Sequence, residues 1–284
     1  MAGGNRQATE VLRDAVIRAH RELQARTPLV QCITNVVSSN FMANILLAAG
    51  ASPAMVDNTQ EAGLFAGIAD ALLINLGTPT DSQVEAMRLA ADAAQLAGKP
   101  WVLDPIGAGG LPWRGAIAVE LLHYRPTTIR GNPSEIKGLS GLGSGARGMD
   151  SSDAPESAVP AALELLRHCR TVGASGEVDH LVGHYEERPT LIRVYGGSSL
   201  QPRVTATGCA LGALVAAYQA VAEPLVANLA AHASFAIVGK LAAERHAAPG
   251  SFAVAFIDEL YALDEARIQQ HLRIDVTSLA CTTS

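Results

Sequence analysis

The feature that most constrains the fold of this chain is a long stretch with almost no charge. No Asp, Glu, Lys or Arg occurs in residues 204–222, and after Glu223 none occurs in residues 224–239. Runs of this length are either membrane spans or helices packed on all sides inside a large protein. The first run contains hydroxyl residues and glycines, the second opens with a proline, and Ala dominates both. We therefore predict two buried core helices, with a membrane hairpin as the less favoured alternative.

The composition excludes several classes of protein. The chain has 284 residues, enough for one large domain with a sizeable core. Its 21 Lys and Arg against 27 Asp and Glu give a net charge of −6, so we expect no nucleic-acid partner. The four cysteines are widely spaced, which disfavours a disulfide scaffold and a structural zinc site. The polar N-terminus has no secretory signal pattern, so we expect a cytoplasmic protein with no membrane partner.

Short apolar runs alternate with segments at helical spacing. Residues 71–77 and 101–105 are typical of buried strands, and residues 81–99 between them of a helix, with Ser82 and Glu85 placed as a capping box. This alternation predicts a three-layer α/β fold, in which helices cover both faces of a largely parallel central sheet. On the same grounds we predict further strands at 127–132, 171–182 and 191–195, and further helices at 134–140 and 160–170.

Residues 140–157 differ in composition from the rest of the chain, because half of them are Gly or Ser. They predict a long flexible surface loop and not a domain linker. Residues 143–148 fit the dinucleotide pattern G-x-G-x-x-G but lack the neighbouring strand and helix that the pattern needs, so we interpret the match as chance. We predict a single domain over residues 1–284, with a short polar extension at 1–10.

The start of the first charge-free run is a candidate anion site. Thr205, Thr207 and Gly208 lead directly into a long apolar helix, and the free N–H groups of a helix start bind anions. If Cys209 lies at that helix start, the helix dipole should lower its thiol pKa. The alternative is that Gly208 only permits close packing and Cys209 is one more small buried residue. The residues alone do not decide between the two.

Charged residues follow two of the predicted strands. Asp104 should emerge at the carboxyl edge of the sheet, where open α/β proteins bind ligands. Arg130 leaves another strand, and Glu135 lies three residues after Asn132, which is a natural N-cap, so helix capping also explains that pair. Two carboxylates and an arginine that face an anion site suit a Mg²⁺-assisted phosphoryl transfer.

Eight separated motifs occur in an order that resembles the hydroxyethylthiazole kinase family of the ribokinase-like superfamily, over about residues 28–263. They are Cys-Ile-Thr-Asn at 32–35, Gly-Ala-Ser-Pro-Ala-Met at 50–55, Ile-Asn-Leu-Gly-Thr at 74–78, Leu-Asp-Pro-Ile-Gly-Ala at 103–108, Ile-Arg-Gly-Asn at 129–132 with Glu135, Ser-Gly-Glu-Val-Asp at 175–179, Thr-Ala-Thr-Gly-Cys at 205–209 and Ala-Pro-Gly-Ser-Phe at 248–252.

The resemblance implies a ribokinase-like fold and an ATP- and Mg²⁺-dependent kinase that phosphorylates the hydroxyl of 4-methyl-5-(2-hydroxyethyl)thiazole for thiamine synthesis. It also implies a homotrimer with the thiazole site near subunit interfaces. By the same resemblance, each of nine residues has a role: Met55, Gly208, Asn35 and Gly77 at the thiazole, Arg130 and Ser175 at ATP, Asp104 and Glu135 at Mg²⁺, and Cys209 as the catalytic residue.

Three positions depart from the pattern that the resemblance sets. Cys209 stands where the wider superfamily usually carries an aspartate base, and a thiol is a poorer proton acceptor. Ser175 stands where the family usually has threonine, and it keeps the hydroxyl. Ala206 replaces a common glycine, and its side chain would crowd the phosphates if this position needs a positive φ.

Other functions remain open from the sequence. The nearest is a ribokinase-like kinase of another small alcohol, such as hydroxymethylpyrimidine. An ATP-dependent repair dehydratase would need an aspartate where Cys209 lies. A non-catalytic thiazole or nucleotide sensor would bind its ligand without turnover.

Overall fold

The computed structural model describes the backbone of residues 2–141 and 154–279, and the side chains from residue 6 onward within these ranges. A single sheet runs through the described part. Its strands are β1 (Leu29–Ile33), β2 (Ser52–Ala54), β3 (Ala71–Asn75), β4 (Trp101–Asp104), β5 (Thr128–Gly131), β6 (Thr171–Ala174), β7 (Val178–Tyr185), β8 (Arg188–Tyr195) and β9 (Arg273–Ser278).

The order of the strands across the sheet is β2-β1-β3-β4-β5-β6-β7-β8-β9. All pairs from β2 to β6 are parallel, and the pairs from β6 to β9 are antiparallel. The predicted largely parallel sheet is therefore confirmed. Because β1 to β6 point the same way, their carboxyl ends share one edge of the sheet, which we call the carboxyl edge.

Eleven α-helices lie in the described part of the chain. They are α1 (Ala2–Arg26), α2 (Ser39–Ala49), α3 (Ala62–Ile68), α4 (Asp81–Leu96), α5 (Pro112–Leu121), α6 (Pro133–Ser140), α7 (Val159–Leu165), α8 (Thr207–Gln219), α9 (Pro224–Arg245), α10 (Pro249–Tyr261) and α11 (Glu265–His271).

The helices form one layer on each face of the sheet. Side chains of α1, α2, α8, α9, α10 and α11 share one core with residues such as Leu73 of the sheet. Side chains of α3 to α7 share the second core with Leu72 and Ile74, which point to the opposite face. This is the predicted three-layer arrangement.

Both charge-free runs form helices inside the protein. In α8, every residue from 210 to 219 is buried. Within the described residues, α9 is the one helix long and apolar enough to cross a membrane, and 83% of its apolar window is buried inside the structure. The core-helix interpretation is therefore the one that the packing supports.

Several predicted boundaries were wrong. The segment 171–182 is not one strand but two, β6 and the start of β7, because the chain turns at residues 175–177. The capping box of α4 is formed by Thr80 and Gln83, since the helix begins at Asp81 and not at residue 83, where a cap at Ser82 would start it. The helix predicted at 160–170 ends at Leu165.

Two sequence predictions concern the ends of the described ranges. Helix α1 begins at Ala2, so most of the polar segment 1–10 is continuous with this helix. Of the loop predicted at 140–157, residues 142–153 lie outside the described residues, and so does the G-x-G-x-x-G match at 143–148.

Candidate active site

The carboxyl edge of the sheet collects most of the residues that the sequence singled out. The parallel strands deliver them there because each residue ends a strand or follows one closely. Asn35 follows β1, Met55 follows β2, Gly77 follows β3, Asp104 ends β4, Arg130 is the next-to-last residue of β5 and Ser175 follows β6.

Hydrogen bonds between side chains link the carboxyl ends of β1, β3 and β4. The Nδ2 group of Asn35 donates to Oδ1 of Asn75 at 3.0 Å, and Nδ2 of Asn75 donates to Oδ2 of Asp104 at 2.8 Å. All three side chains are buried. Sequence reasoning missed Asn75, although an asparagine that ends a wholly apolar strand was a usable signal, because a buried amide needs partners.

Arg130 connects these side chains to the next strand. Its Nη1 lies 3.5 Å from Oδ2 of Asp104, and its Nη2 donates to Oγ of Ser175 at 2.7 Å. Burial raises the pKa of Asp104 to about 7, and the Arg130 guanidinium opposes this rise. Oδ1 of Asp104 and Nε of Arg130 are buried and have no hydrogen-bond partner among the described residues. The site therefore holds one unused acceptor and one unused donor.

Glu135 has a structural task at the start of α6. It forms the predicted capping box with Asn132, and its Oε1 accepts from the N–H of Gly107 at 3.3 Å. Burial raises the pKa of Glu135, while its bonds from backbone N–H groups oppose the rise. The carboxylate thus ties the loop after β4 to the start of α6.

The donor set fits Mg²⁺. No group of three or more His, Cys, Asp or Glu able to hold a metal occurs within the described residues. Mg²⁺ in kinases does not need one, because it keeps several waters and binds one or two carboxylates together with substrate phosphates. The buried Oδ1 of Asp104, which lacks a protein partner among the described residues, is suited to this role.

The start of α8 faces the same edge. An ideal Cβ at Gly208 would lie 3.4 Å from Nη1 of Arg130, so this helix start and the guanidinium are neighbours. No side-chain hydrogen bond caps α8 at Ala206. The N–H of Thr207 donates to the carbonyl oxygen of Val204 at 3.4 Å. The next N–H groups of the first helical turn, at Gly208 and Cys209, have no partner within their own helix, so together with Arg130 they can receive an anion.

Ala206 has φ = +73°, in the left-handed region that favours glycine. The sequence predicts that the side chain of Ala206 would crowd the phosphates if φ is positive at this position. The observed φ is positive, so this condition is met.

Cys209 lies beside Asn35, with its Sγ 3.9 Å from Nδ2 of that residue. The expectation that the helix dipole lowers its pKa was wrong. Burial raises the pKa of the Cys209 thiol, and the charge of Asp104 raises it further. Desolvation outweighs the helix start because the thiol is largely enclosed, so at neutral pH it keeps its proton.

A small cavity of about 160 Å³ opens beside Asn35 and Met55. Gly77 permits the close approach of its neighbour, since an ideal Cβ there would lie 2.4 Å from Nδ2 of Asn35. Met55 is 37% exposed. The cavity is lined by Cys32, Thr34, Asn35, Val36, Ser39, Met55, Asp57 and Gln83.

Comparisons with known proteins find a family, relatives and solved structures that this chain resembles. The profile of the family described as "HK: Hydroxyethylthiazole kinase family" matches residues 20–266. A relative named hydroxyethylthiazole kinase, from Rhodococcus erythropolis strain PR4, is 52% identical over 92% of this chain and 94% of its own length. The solved structure of a hydroxyethylthiazole kinase from Pyrococcus horikoshii OT3 superposes with a TM-score of 0.84, at 36% identity over 93% of this chain and 99% of that one.

A more distant structure shows the fold alone. The pyridoxal kinase from Staphylococcus aureus, in complex with AMP-PCP and pyridoxal, has a TM-score of 0.60 at 14% identity, over 88% of this chain and 98% of that one.

Proposed function

The chain belongs to the hydroxyethylthiazole kinase family, and from this premise we propose that it transfers the γ-phosphoryl group of ATP to the hydroxyl of 4-methyl-5-(2-hydroxyethyl)thiazole. The products are thiazole phosphate and ADP, and the reaction serves thiamine biosynthesis. One observation supports the proposal above others: Asn35, Asp104 and Arg130 converge on one polar network at the carboxyl edge, beside the start of α8.

The thiazole is proposed to bind in the cavity beside Asn35. Met55 would contact the apolar ring, while Asn35, Gly77 and the N–H of Gly208 would surround the hydroxyl end. The mixture of one thioether and several amide groups suits a small heteroaromatic alcohol, because such a ligand has an apolar body and one polar arm.

ATP is proposed to bind on the other side of the network, at Arg130 and Ser175. A guanidinium is well suited to phosphate oxygens, since it offers several donors in a fixed plane. Nε of Arg130, which lacks a partner among the described residues, is available for such a bond. Ser175 Oγ fixes the guanidinium through its 2.7 Å hydrogen bond.

Asp104 and Glu135 are the residues proposed to hold Mg²⁺, directly or through water. When bound, the ion neutralises charge on the transferring phosphates. Asp104 is the stronger candidate of the two, because both oxygens of Glu135 already accept backbone N–H groups.

In the transfer, the hydroxyl oxygen bonds to the γ-phosphorus as the bond from that phosphorus to the bridging oxygen breaks, and ADP leaves with that oxygen. The transition state is loose, so the hydroxyl proton is lost late, when it can pass to an oxygen of the transferred phosphoryl group, and a strong base is not essential. Cys209 is proposed as the catalytic residue beside the hydroxyl. Since its raised pKa leaves it a neutral thiol, it is better suited to positioning the hydroxyl than to removing its proton.

We include a homotrimer with the cavity near a subunit interface. Two apolar side chains directly after Asn35 support this, because Val36 is 83% exposed and Val37 is 59% exposed. Light scattering of the purified protein should give three times the chain mass of 29.5 kDa; the mass of one chain would contradict the trimer. A cytoplasmic location is part of the proposal and can be tested by cell fractionation.

The central experiment is a mass-spectrometric assay of the purified protein with ATP, Mg²⁺ and hydroxyethylthiazole. We expect equal amounts of thiazole phosphate and ADP, and none of either when EDTA replaces Mg²⁺. Hydroxymethylpyrimidine in a parallel reaction tests the alternative alcohol, and preferential turnover of it would reassign the substrate. Binding of the thiazole without any product would instead indicate a sensor and contradict the kinase.

A further inference from the structure

A buried histidine on α9 contacts the start of β7, next to the turn that carries the proposed nucleotide-binding residue Ser175. His232 is fully buried, and its Nδ1 lies 2.7 Å from Oδ2 of Asp179 in β7. A carboxylate only accepts hydrogen bonds, so Nδ1 carries the hydrogen and donates it. The other oxygen of the same carboxylate, Oδ1, accepts from the N–H of Gly176 at 2.9 Å. Asp179 therefore joins the core helix to the turn at residues 175–177.

That turn carries Ser175, the residue that fixes Arg130. Ser175 donates its N–H to the carbonyl oxygen of Gly131 at 2.9 Å, and its Oγ accepts from Nη2 of Arg130 at 2.7 Å. A continuous series of contacts thus runs from His232 through Asp179 and the turn to the guanidinium.

We propose that His232 and Asp179 are positioning residues for the nucleotide: they hold the turn at 175–177 so that Ser175 and Arg130 meet ATP without prior rearrangement. The inference rests on the proposed function, in which Arg130 and Ser175 bind ATP. A turn that is not held must be ordered when the nucleotide binds, and this cost weakens binding.

A purely structural role accounts poorly for this pair. A fully buried histidine paired with a carboxylate whose side chain is only 15% exposed is expensive to desolvate, and an apolar pair of similar size would pack the same space at lower cost. Nε2 of His232 has no hydrogen-bond partner among the described residues. The histidine also requires a glycine at position 173 of β6, since an ideal Cβ there would lie 2.9 Å from this nitrogen. The polar contact that the pair does make leads to the turn.

The test compares two replacements of His232 by steady-state kinetics. In His232→Asn the amide nitrogen can take the place of Nδ1 and still donate to Asp179, whereas in His232→Gln the amide lies farther out, near the position of Nε2. We expect His232→Gln to raise the KM for ATP about three- to tenfold. The KM for the thiazole should not change, and His232→Asn should restore most of the affinity.

Asp179→Asn provides a second route if a His232 variant fails to fold. Its amide oxygen can still accept from Gly176, but its nitrogen can bond to Nδ1 of His232 only if the ring hydrogen moves to Nε2, which is buried and has no partner among the described residues. The contact is therefore weakened, and the KM for ATP should also rise. Titration calorimetry with ADP gives a matching readout without turnover, and both Asp179→Asn and His232→Gln should weaken ADP binding.

Ser234→Ala is the matched control. Ser234 is a buried residue of the same helix, and its hydroxyl bonds to the carbonyl oxygen of Ala230 and lies 3.1 Å from the hydroxyl of Tyr218, away from the turn. This variant should lose stability and keep the wild-type KM for ATP.

Variants of Arg130 and Ser175 separate this inference from the proposed function. If Arg130→Met and Ser175→Ala leave the KM for ATP unchanged, the nucleotide assignment is wrong and the inference is overturned with it. If those two variants raise this KM while His232→Gln and Asp179→Asn lower only the melting temperature, the inference alone is overturned.

Discussion

Asp104 faces Arg130 with only one of its two oxygens: Oδ2 lies 3.5 Å from Nη1, and Oδ1 is buried with no hydrogen-bond partner among the described residues. A buried carboxylate is costly unless it is fully paired. Burial accordingly raises the pKa of Asp104 to about 7, in spite of the adjacent guanidinium. The ionised carboxylate of Asp104, at the proposed metal site, therefore lowers the folding stability of the protein.

This relationship predicts opposite effects of Asp104→Asn on activity and on stability. We expect kcat to fall by about 100-fold or more, because preorganised charge at a transferring group contributes on this scale. The melting temperature should rise, because a neutral amide replaces a poorly paired charge. Kinetics and thermal unfolding of the metal-free protein check the two parts.

The gain in stability should depend on pH. The ordinary pKa of the carboxyl is 3.8 and its pKa in the folded protein is about 7, so between these values the folded state binds more protons than the unfolded state. Wild-type stability from this group therefore falls as pH rises through that window. The advantage of Asp104→Asn should be larger at pH 8 than at pH 5. The exposed Asp92→Asn serves as control, and an Asp104→Asn variant with half of the wild-type kcat would contradict the assignment.

The left-handed backbone of Ala206 predicts that Ala206→Gly stabilises the protein. A residue with a Cβ loses roughly 1–2 kcal/mol of folding stability in the left-handed region, and glycine avoids this loss. Glycine also makes the unfolded chain more flexible, which lowers the stability of the folded state by about 0.4–1 kcal/mol. We expect a net gain of about 0.5–1 kcal/mol and a rise of about 1–3 °C in melting temperature. Removal of the methyl group should also leave kcat equal or higher, since it clears the approach to the anion site.

Ala25→Gly is the matched control for that substitution. Ala25 is exposed in α1, where the backbone is right-handed, so glycine should there destabilise the protein by up to about 1 kcal/mol. Equal losses in both variants would show that the positive φ of Ala206 carries no strain.

Cys209 variants test whether a base is used at all. Cys209→Asp would supply the carboxylate of the wider superfamily and should keep or raise kcat, whereas Cys209→Ser should lower it modestly. The thiol is a weak base at neutral pH because burial and Asp104 raise its pKa. Complete loss of activity in Cys209→Asp, measured on folded protein, would contradict the expectation that a carboxylate can act at this position.

The sequence predicted where site residues gather but not how they bond. Asp104 and Arg130 could be placed together because parallel strands end at a common edge. The link through Asn75 depends on the register between β3 and β4, which pairs Asn75 with Asp104. The raised pKa of Cys209 depends on how fully other segments bury the thiol and on how near Asp104 lies. Register and enclosure are tertiary properties, so local sequence patterns do not carry them.

The turn at residues 175–177 could have been predicted from the sequence. The prediction of one strand over residues 171–182 follows the apolar residues on both sides of the turn, but the Ser-Gly dipeptide at 175–176 and the charged Glu177 and Asp179 indicate a break. The antiparallel return of β7 is stabilised by pairing with β6 and β8 and by the contact of Asp179 with His232. Of these partners, His232 is distant in the chain, so local patterns do not indicate its contact with Asp179.

His20 predicts a loss of stability at mildly acidic pH. It is 2% exposed, with Nδ1 3.1 Å from the hydroxyl of Tyr218 and Nε2 3.0 Å from the carbonyl oxygen of Leu263. A carbonyl only accepts, so Nε2 carries the hydrogen and Nδ1 is free to accept from Tyr218. Burial lowers the pKa of His20 below its ordinary value of 6.5, which the nearby charges of Glu265 and Asp264 oppose. A second proton would displace the bond from Tyr218.

The direction follows from proton binding in the two states. As pH falls through about 6.5, the unfolded chain takes up a proton at His20 and the folded protein does not, so stability falls, by up to about 1.4 kcal/mol per pH unit from this group. His20→Gln keeps a donor for the carbonyl of Leu263 and cannot titrate. Chemical denaturation between pH 7.5 and about 5 should therefore give a shallower slope for His20→Gln than for wild type. The exposed His246→Gln should keep the wild-type slope, and equal slopes in all three proteins would exclude His20 as the source.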